Sequence, residues 1–278
     1  GSNPETKILN IEVEEKATGE ISAGAGVGTS GGTVMFGVKE NNYLGKGIAV
    51  NTNFTINAES LKGVFSVRNP NYNNTDKSAF FSLEATETDR LKNSGYKMNK
   101  TGLNLGTRFE YFDDLFLGFK TSTFFETIET NSTASARQKA QKGNYFDSFL
   151  GIDFDFDKRN QKFQTNQGFR SLYKLKLPLV SDTNTLTNFY SYKYFTELYE
   201  NNISTVSLYL KSVNSITDED VKLSERAFVP SNRLRGFVSG KVGPKDGDDF
   251  IGGNYVTTLN FSSTLPFLFE NSQNSELI

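Results

Sequence analysis

The stretch that decides the fold is Ile152-Asp153-Phe154-Asp155-Phe156-Asp157, in which apolar and acidic side chains alternate without interruption. Successive side chains of a β-strand point to opposite faces of the sheet, so this stretch predicts a strand with one apolar face and one charged face. The charged face needs water or positive partners, because an unpaired charge in an apolar core is very costly.

The same period of two recurs along the chain from residue 20 onwards. Short turns alternate with longer polar loops between the strands, and no helical period separates them. The predicted strands are centred on residues 21–27, 34–38, 48–56, 61–67, 81–85, 103–111, 115–119, 152–156, 169–177, 190–194, 206–210, 221–229 and 255–265. The pattern at 221–229 is the weakest of these. The sequence therefore predicts an all-β chain that forms an antiparallel meander.

The composition favours strands and argues against most catalytic and nucleic-acid functions. The 278 residues include 25 Phe and 12 Tyr, which are enriched in strands, and no run of about 18 apolar residues that would form a transmembrane helix. Cys and His are absent, which removes thiol chemistry, the usual general base and the commonest zinc ligand. The net charge of −2 gives no reason to expect nucleic acid. We therefore expect no enzyme, no cofactor and no metal site.

Three features favour a transmembrane antiparallel β-barrel over a soluble β-sandwich or β-solenoid. Many predicted strands have about ten residues, which is longer than usual in globular sheets and enough to cross a bilayer. Charges stand in rows on the polar faces, as in the aspartates of 152–157 and in Lys174 and Lys176. A meander of this many strands would expose long edges if it stayed open, and closure into a barrel removes them.

Several glycine-containing motifs near the end of the chain follow a family pattern. Arg233-Leu234-Arg235-Gly236-Phe237 is followed by Val242-Gly243-Pro244, by Ile251-Gly252-Gly253-Asn254 and, after a strand, by Leu265-Pro266-Phe267. This order resembles the BamA-like outer-membrane protein assembly factors. Members of that family have an aliphatic-Arg-Gly-aromatic motif in the sixth extracellular loop, then Gly-Pro, and then Gly-Gly-Asn where the next strand begins.

The first part of the chain agrees with this resemblance. Residues 13–19 resemble the exit from the family's last POTRA domain, a periplasmic module, and the motifs at 42–47, 67–72 and 157–168 follow in the family's order. The resemblance implies that residues 1–18 are the end of a POTRA domain and its linker, and that residues 19–278 belong to a barrel of about 16 strands. We expect about 13 of those strands here, with the chain incomplete at its C-terminus and the long loop before the last strand folded into the lumen.

The resemblance also implies a role for the loop motif. In the family, the arginine of this motif reaches into the lumen and pairs with acidic groups on the inner wall, because a guanidinium suits carboxylates. The matching residues are Leu234, Arg235, Gly236 and Phe237. Candidate partners are Asp153, Asp155 and Asn260, the last of which stands where relatives have an acid. We call this hypothesis the Arg235 latch; its alternative is an ordinary exposed loop arginine.

The first strand, which we call the seam strand, is rich in glycine and other small residues. Its residues of interest are Ile21, Ala23, Gly24, Ala25, Gly26, Val27 and Gly28. Glycine weakens a strand, so one interpretation is a poorly closed edge that pairs with an incoming client strand by β-augmentation. The other interpretation is that glycine relieves crowding in a tightly bent wall.

The function that follows from the resemblance is the assembly and insertion of β-barrel proteins into the bacterial outer membrane. The partners expected are outer-membrane lipids, unfolded β-barrel clients and accessory lipoproteins of an assembly complex, without nucleic acid. Two alternatives are a polypeptide translocator of the two-partner-secretion type and a passive porin in which the loop forms a constriction.

Overall fold

The computed structural model describes residues 10–28, 31–91, 95–198, 202–238 and 240–264. Residues 10–18 have no regular secondary structure, and strands follow from residue 19 onwards. The strands are β1 (Gly19–Gly28), β2 (Gly31–Tyr43), β3 (Ile48–Asn57), β4 (Ser60–Asn69), β5 (Ser78–Arg90), β6 (Tyr96–Phe112), β7 (Leu115–Thr130), β8 (Gly143–Asp157), β9 (Gly168–Ser181), β10 (Thr185–Glu197), β11 (Ile203–Ser215), β12 (Lys245–Asp246), β13 (Asp249–Phe250) and β14 (Tyr255–Ser263). The α-helix α1 (Ala136–Ala140) has a capping box between Ser135 and Gln138. No helix of these described ranges is long and apolar enough to cross a membrane.

Twelve strands form one antiparallel sheet in the order β1 to β11 followed by β14, and β12 pairs with β13 in a separate hairpin. Because neighbours run in opposite directions, the connections alternate between two rims. The first rim is the one where β1 begins, and it holds the turns that join β2 to β3 and β8 to β9. The second rim holds α1 and the long loop between β11 and β14. In the described part of the chain, β1 and β14 are the two edges of the sheet.

The two faces of the sheet differ as the alternation in 152–157 predicts. On β8, Asp147, Phe149 and Asp155 are buried on the inner face, whereas Phe154 on the other face is 42% exposed. The outer face carries exposed apolar side chains on almost every strand. Examples are Phe36, Phe54, Phe65, Leu83, Leu105, Phe119, Val206, Leu259 and Phe261. Water-soluble monomers rarely expose so continuous an apolar surface, but lipid-facing walls do. The predicted wall of alternating strands is therefore confirmed.

One predicted strand is wrong. Residues 221–229 form a turn and an irregular segment, joined to the loop's return by a single isolated bridge between Ala227 and Gly253. Val221, Leu223 and Ala227 are nevertheless almost fully buried. Their alternation arises because the segment packs along the inner face of the sheet, and not because it belongs to the sheet. The wall therefore has twelve strands within the described residues.

Candidate functional site

The long loop between β11 and β14, residues 216–254, enters the interior of the curved sheet, and we call it the interior loop. Lys222 contacts Glu126 and Asp147 close to the second rim. Further along, Arg233 donates to the Ser207 hydroxyl at 2.8 Å, and Ser207 lies near the start of β11, towards the first rim. The loop therefore runs through much of the depth of the wall before it returns, as predicted for a loop folded into the lumen.

Lys222 is the centre of a buried ion cluster that anchors the interior loop. Its Nζ lies 2.5 Å from a Glu126 carboxylate oxygen and also pairs with Asp147, and all three side chains are at most 3% exposed. Asp147 also accepts from the Ser181 hydroxyl. Burial alone would lower the pKa of Lys222, but the Glu126, Glu225 and Asp147 carboxylates outweigh burial and hold that pKa above its usual value. Lys222 therefore remains charged in the folded protein.

A second anchor lies at the second rim, where Gln141 follows α1. Its side-chain amide donates to the Val221 carbonyl at 3.3 Å, and its amide oxygen accepts from the Leu223 N–H at 2.7 Å. These two bonds hold the backbone on both sides of Lys222. Asp220 is bound by Arg137 and Arg226, each at 2.5 Å, which ties α1 to the same segment.

The tip and the return of the interior loop have separate contacts. The Asn260 side-chain amide donates to the Arg233 carbonyl at 2.8 Å, and the Arg233 guanidinium lies 5.7 Å from the centre of the Tyr209 ring. The predicted turn Gly252-Gly253-Asn254 joins the loop to β14. Gly252 has φ +71°, and a Cβ there would lie 2.8 Å from the Phe228 ring, so this position needs glycine.

The structure shows no ion pair between Arg235 and its predicted acidic partners Asp153 and Asp155. Arg235 is exposed, and no ion pair joins it to any residue of the described ranges. Asp155 is engaged by Arg108 at 2.6 Å and Arg170 at 2.7 Å, and Asp153 by Lys174 at 3.4 Å. Asn260 contacts the loop two residues before Arg235. The Arg235 latch therefore stays a prediction.

Leu234, Gly236 and Phe237 surround Arg235 at the tip of the interior loop. Leu234 is half-buried, whereas Phe237 is 53% exposed, and Gly236 has φ +83°. The tip therefore presents a turn that contacts the wall mainly through Arg233. Sequence reasoning missed the anchors at Lys222 and Gln141, because their partners lie on strands and loops far away in the chain.

The seam strand β1 has an open environment. Ile21 and Val27 on its outer face are 75% and 94% exposed. On the inner face, a Cβ at Gly26 would meet no described residue within 4 Å, and one at Gly24 would meet only the Met35 methyl at 3.7 Å. Some glycines elsewhere in the wall are crowded: a Cβ at Gly102 would lie 2.2 Å from the Phe124 ring. Crowding by the described residues therefore does not explain Gly24 and Gly26.

Comparison with known proteins places the chain in a family. The sequence profile of the Omp85 superfamily domain matches residues 42–277. The structure of BamA from Haemophilus ducreyi lacking POTRA domains 1–3 is similar with a TM-score of 0.84 at 19% identity, over 94% of this chain and 55% of that one. CdiB from Acinetobacter baumannii is similar with a TM-score of 0.51 at 12% identity, over 90% of this chain and 46% of that one. The chain thus spans about half the length of each structure, and these likenesses support the barrel fold. The chain belongs to the Omp85 superfamily.

Proposed function

We propose that this chain is the membrane-embedded part of a bacterial outer-membrane machine that assembles and inserts β-barrel proteins. The activity is not enzymatic: β1 offers its backbone to a strand of an unfolded client, and the outer face of the sheet contacts outer-membrane lipids. Accessory lipoproteins of an assembly complex are further proposed partners. Membership of the Omp85 superfamily and the likeness to the BamA barrel support this proposal.

The observation that carries the proposal is the unfilled space around Gly24 and Gly26 in β1. Glycine in a strand costs roughly 0.5–1 kcal/mol relative to alanine. Among the described residues, larger side chains would fit at both positions, so packing against β2 does not require glycine there. A weakly held strand pairs and unpairs at low cost, which is the property that templating of client strands needs.

Site-specific crosslinking during client folding tests this proposal. Ala23→Cys and Ala25→Cys place thiols on the outer face of β1, and a client carries single cysteines in its terminal strand. We expect disulfides at matched positions that shift by two residues between the two variants, because strand pairing has a fixed register. Thr52→Cys on β3 is the control, since it lies on the same face two strands from the edge. Equal yields from β1 and β3, or no crosslinks from β1, would refute pairing at the seam.

A second candidate is a polypeptide translocator, favoured by an interior cavity of about 640 Å³ that the loop leaves open. Assays on the protein with its native flanking domains separate the candidates. Passage of an unfolded partner polypeptide into vesicles, without any effect on client barrel folding, would favour translocation. High ion conductance with neither activity would favour the passive porin.

A further inference from the structure

One rung of the sheet crosses the inner face from β4 to β10 with three basic side chains and no acidic one. Residues directly opposite in neighbouring strands share a face of the sheet. The rung consists of Arg68, Phe80, Gly106, Lys120, Gly151, Lys176 and Thr187. All except Gly106 border the interior cavity of about 640 Å³. We call Arg68, Lys120 and Lys176 the basic row.

The cavity is positive although the chain as a whole is negative. Its lining contains five positive groups, Arg68, Arg108, Lys120, Lys174 and Lys176, and two negative groups, Glu84 and Asp153. Two of the positive groups also pair with carboxylates outside this lining, Arg108 with Asp155 and Lys176 with Glu225. The whole chain has a net charge of −2. Arg108 and Lys174 are already paired with aspartates on β8. Arg68 and Lys120 are exposed to the cavity, and neither forms an ion pair within the described residues.

The interior loop supplies a carboxylate to one member of the basic row. Glu225 lies on the irregular buried segment of that loop, and its carboxylate pairs with the Lys176 ammonium at 2.7 Å. The Glu225 side chain is only 4% exposed, so the carboxylate of this pair is shielded from water. One end of the basic row therefore already holds a carboxylate presented by a peptide backbone.

We propose that the basic row is a binding track for an extended acidic peptide segment of a partner polypeptide, with Glu225 occupying its Lys176 end. Neighbouring strands lie about 4.8 Å apart, so Lys176 and Lys120 are about 10 Å apart and Lys120 and Arg68 about 14 Å apart. An extended peptide advances about 3.3 Å per residue, so glutamates about three to four residues apart match the row. Phe80 and Phe189 are half-buried, border the same cavity and provide apolar contacts for the intervening side chains. The track is a property of the cavity and holds whether or not the chain inserts barrels.

Peptide binding to the full chain folded in lipid nanodiscs tests the track directly. The probe is a fluorescent peptide of about twelve residues with glutamate at every third or fourth position, and its partner has glutamine at those positions. We expect the double variant Arg68→Gln/Lys120→Gln to bind the acidic peptide at least about tenfold more weakly, because each charged contact is worth more than a neutral one. Lys16→Gln/Lys46→Gln is the matched control, since it removes two exposed charges far from the cavity. Circular dichroism confirms that each variant is folded.

A second variant examines the occupied end of the track. Glu225→Gln keeps the shape of the side chain and frees Lys176, so we expect it to bind the acidic peptide more tightly than the native chain does. Unchanged or weaker binding would show that Glu225 does not occupy the track. The proposal would be overturned if the native chain bound the acidic and the neutral peptide with equal affinity. It would also be overturned if millimolar inorganic phosphate alone displaced the acidic peptide. These assays contain no client barrel, so a loss of client assembly with intact peptide binding would refute only the proposed function.

Discussion

Lys222 shows how much a single residue contributes to holding the interior loop. It brings a positive charge into a site where Glu126 and Asp147 are almost fully buried. Carboxylates in such a place are costly unless a positive partner is present. The lysine of the loop thus neutralises buried carboxylates of the wall, and the same contacts hold the loop in place. The stability of each therefore depends on the other.

Replacement of Lys222 by methionine should destabilise the folded chain strongly. The variant leaves two buried carboxylates without their cation, and removal of one partner of a buried ion pair costs roughly 3–5 kcal/mol. The free energy of unfolding, measured by urea denaturation in lipid vesicles, checks this value. Lys241→Met is the control, because Lys241 is an exposed residue of the same loop. A loss below about 1 kcal/mol, typical of exposed pairs, would mean that the cluster does not anchor the loop.

The pH dependence of this anchor follows from the raised pKa of Lys222. A lysine whose folded-state pKa exceeds its unfolded value of about 10.4 contributes stability that is fully present below that value and is lost as the pH rises through the folded pKa. We therefore expect the stability difference between the native chain and Lys222→Met to be constant up to about pH 10 and to shrink above it. Urea midpoints at a series of pH values test this. A difference that already shrinks between about pH 7 and 9 would contradict the raised pKa.

At the scale of elements, β1 differs from the strands in the middle of the wall. Among the described residues, a Cβ at Gly24 or Gly26 would have almost no neighbours, whereas Gly102 on β6 lies against Phe124. Glycine therefore has two different structural roles within one sheet. In β6 glycine makes room for a neighbouring ring, and in β1 it leaves a strand with few side-chain contacts.

Filling the space on β1 should strengthen the strand and reduce client assembly. Gly24→Val/Gly26→Val fits sterically, and we expect a gain of roughly 1–2 kcal/mol in stability from the two lost glycines and the higher strand preference of valine. Hydrogen exchange of the β1 amides and client assembly in vesicles measure the two effects. Gly102→Val is the contrast, because its Cβ would collide with Phe124 and it should fail to fold. Faster exchange in the double β1 variant, or unchanged assembly, would contradict the role of a weak seam.

For the whole molecule, the outer face is apolar and the inner face is polar and charged. The interior loop covers only part of the inner face, and the cavity that remains is lined by basic groups. The exposed apolar side chains of the outer face need lipid or detergent, because their exposure to water over such an area is unfavourable. The two sides of the single sheet thus suit different environments: the outer side suits lipid, and the inner side suits polar and charged groups.

Arginine scanning on the two faces tests this arrangement. Leu105→Arg puts a charge near the middle of β6 on the outer face, where Leu105 is 51% exposed, and should cost about 2–4 kcal/mol in vesicles. Thr187 borders the polar interior cavity on the inner face, so Thr187→Arg should cost much less. Urea unfolding in the same vesicles compares the two variants. Equal losses would argue against a lipid-facing outer surface.

The sequence by itself determined the strands and the character of their two faces. The alternation in 152–157 and in the other segments is local, since it depends only on successive side chains pointing to opposite sides. The motifs around Arg235 and Gly252 are also local, and they predicted a loop before the last strand. The alternation at 221–229 misled, because a segment packed along a wall can carry the same pattern as a strand within it.

Only the tertiary structure decided where the interior loop is held. Lys222, Glu126 and Asp147 are far apart in the chain, and so are the three members of the basic row. Whether these side chains lie close together depends on strand register and on how far the interior loop extends into the barrel. Both are set by pairing across the sheet, because a shift of one residue would move every side chain of a strand to the opposite face. No local pattern contains that information.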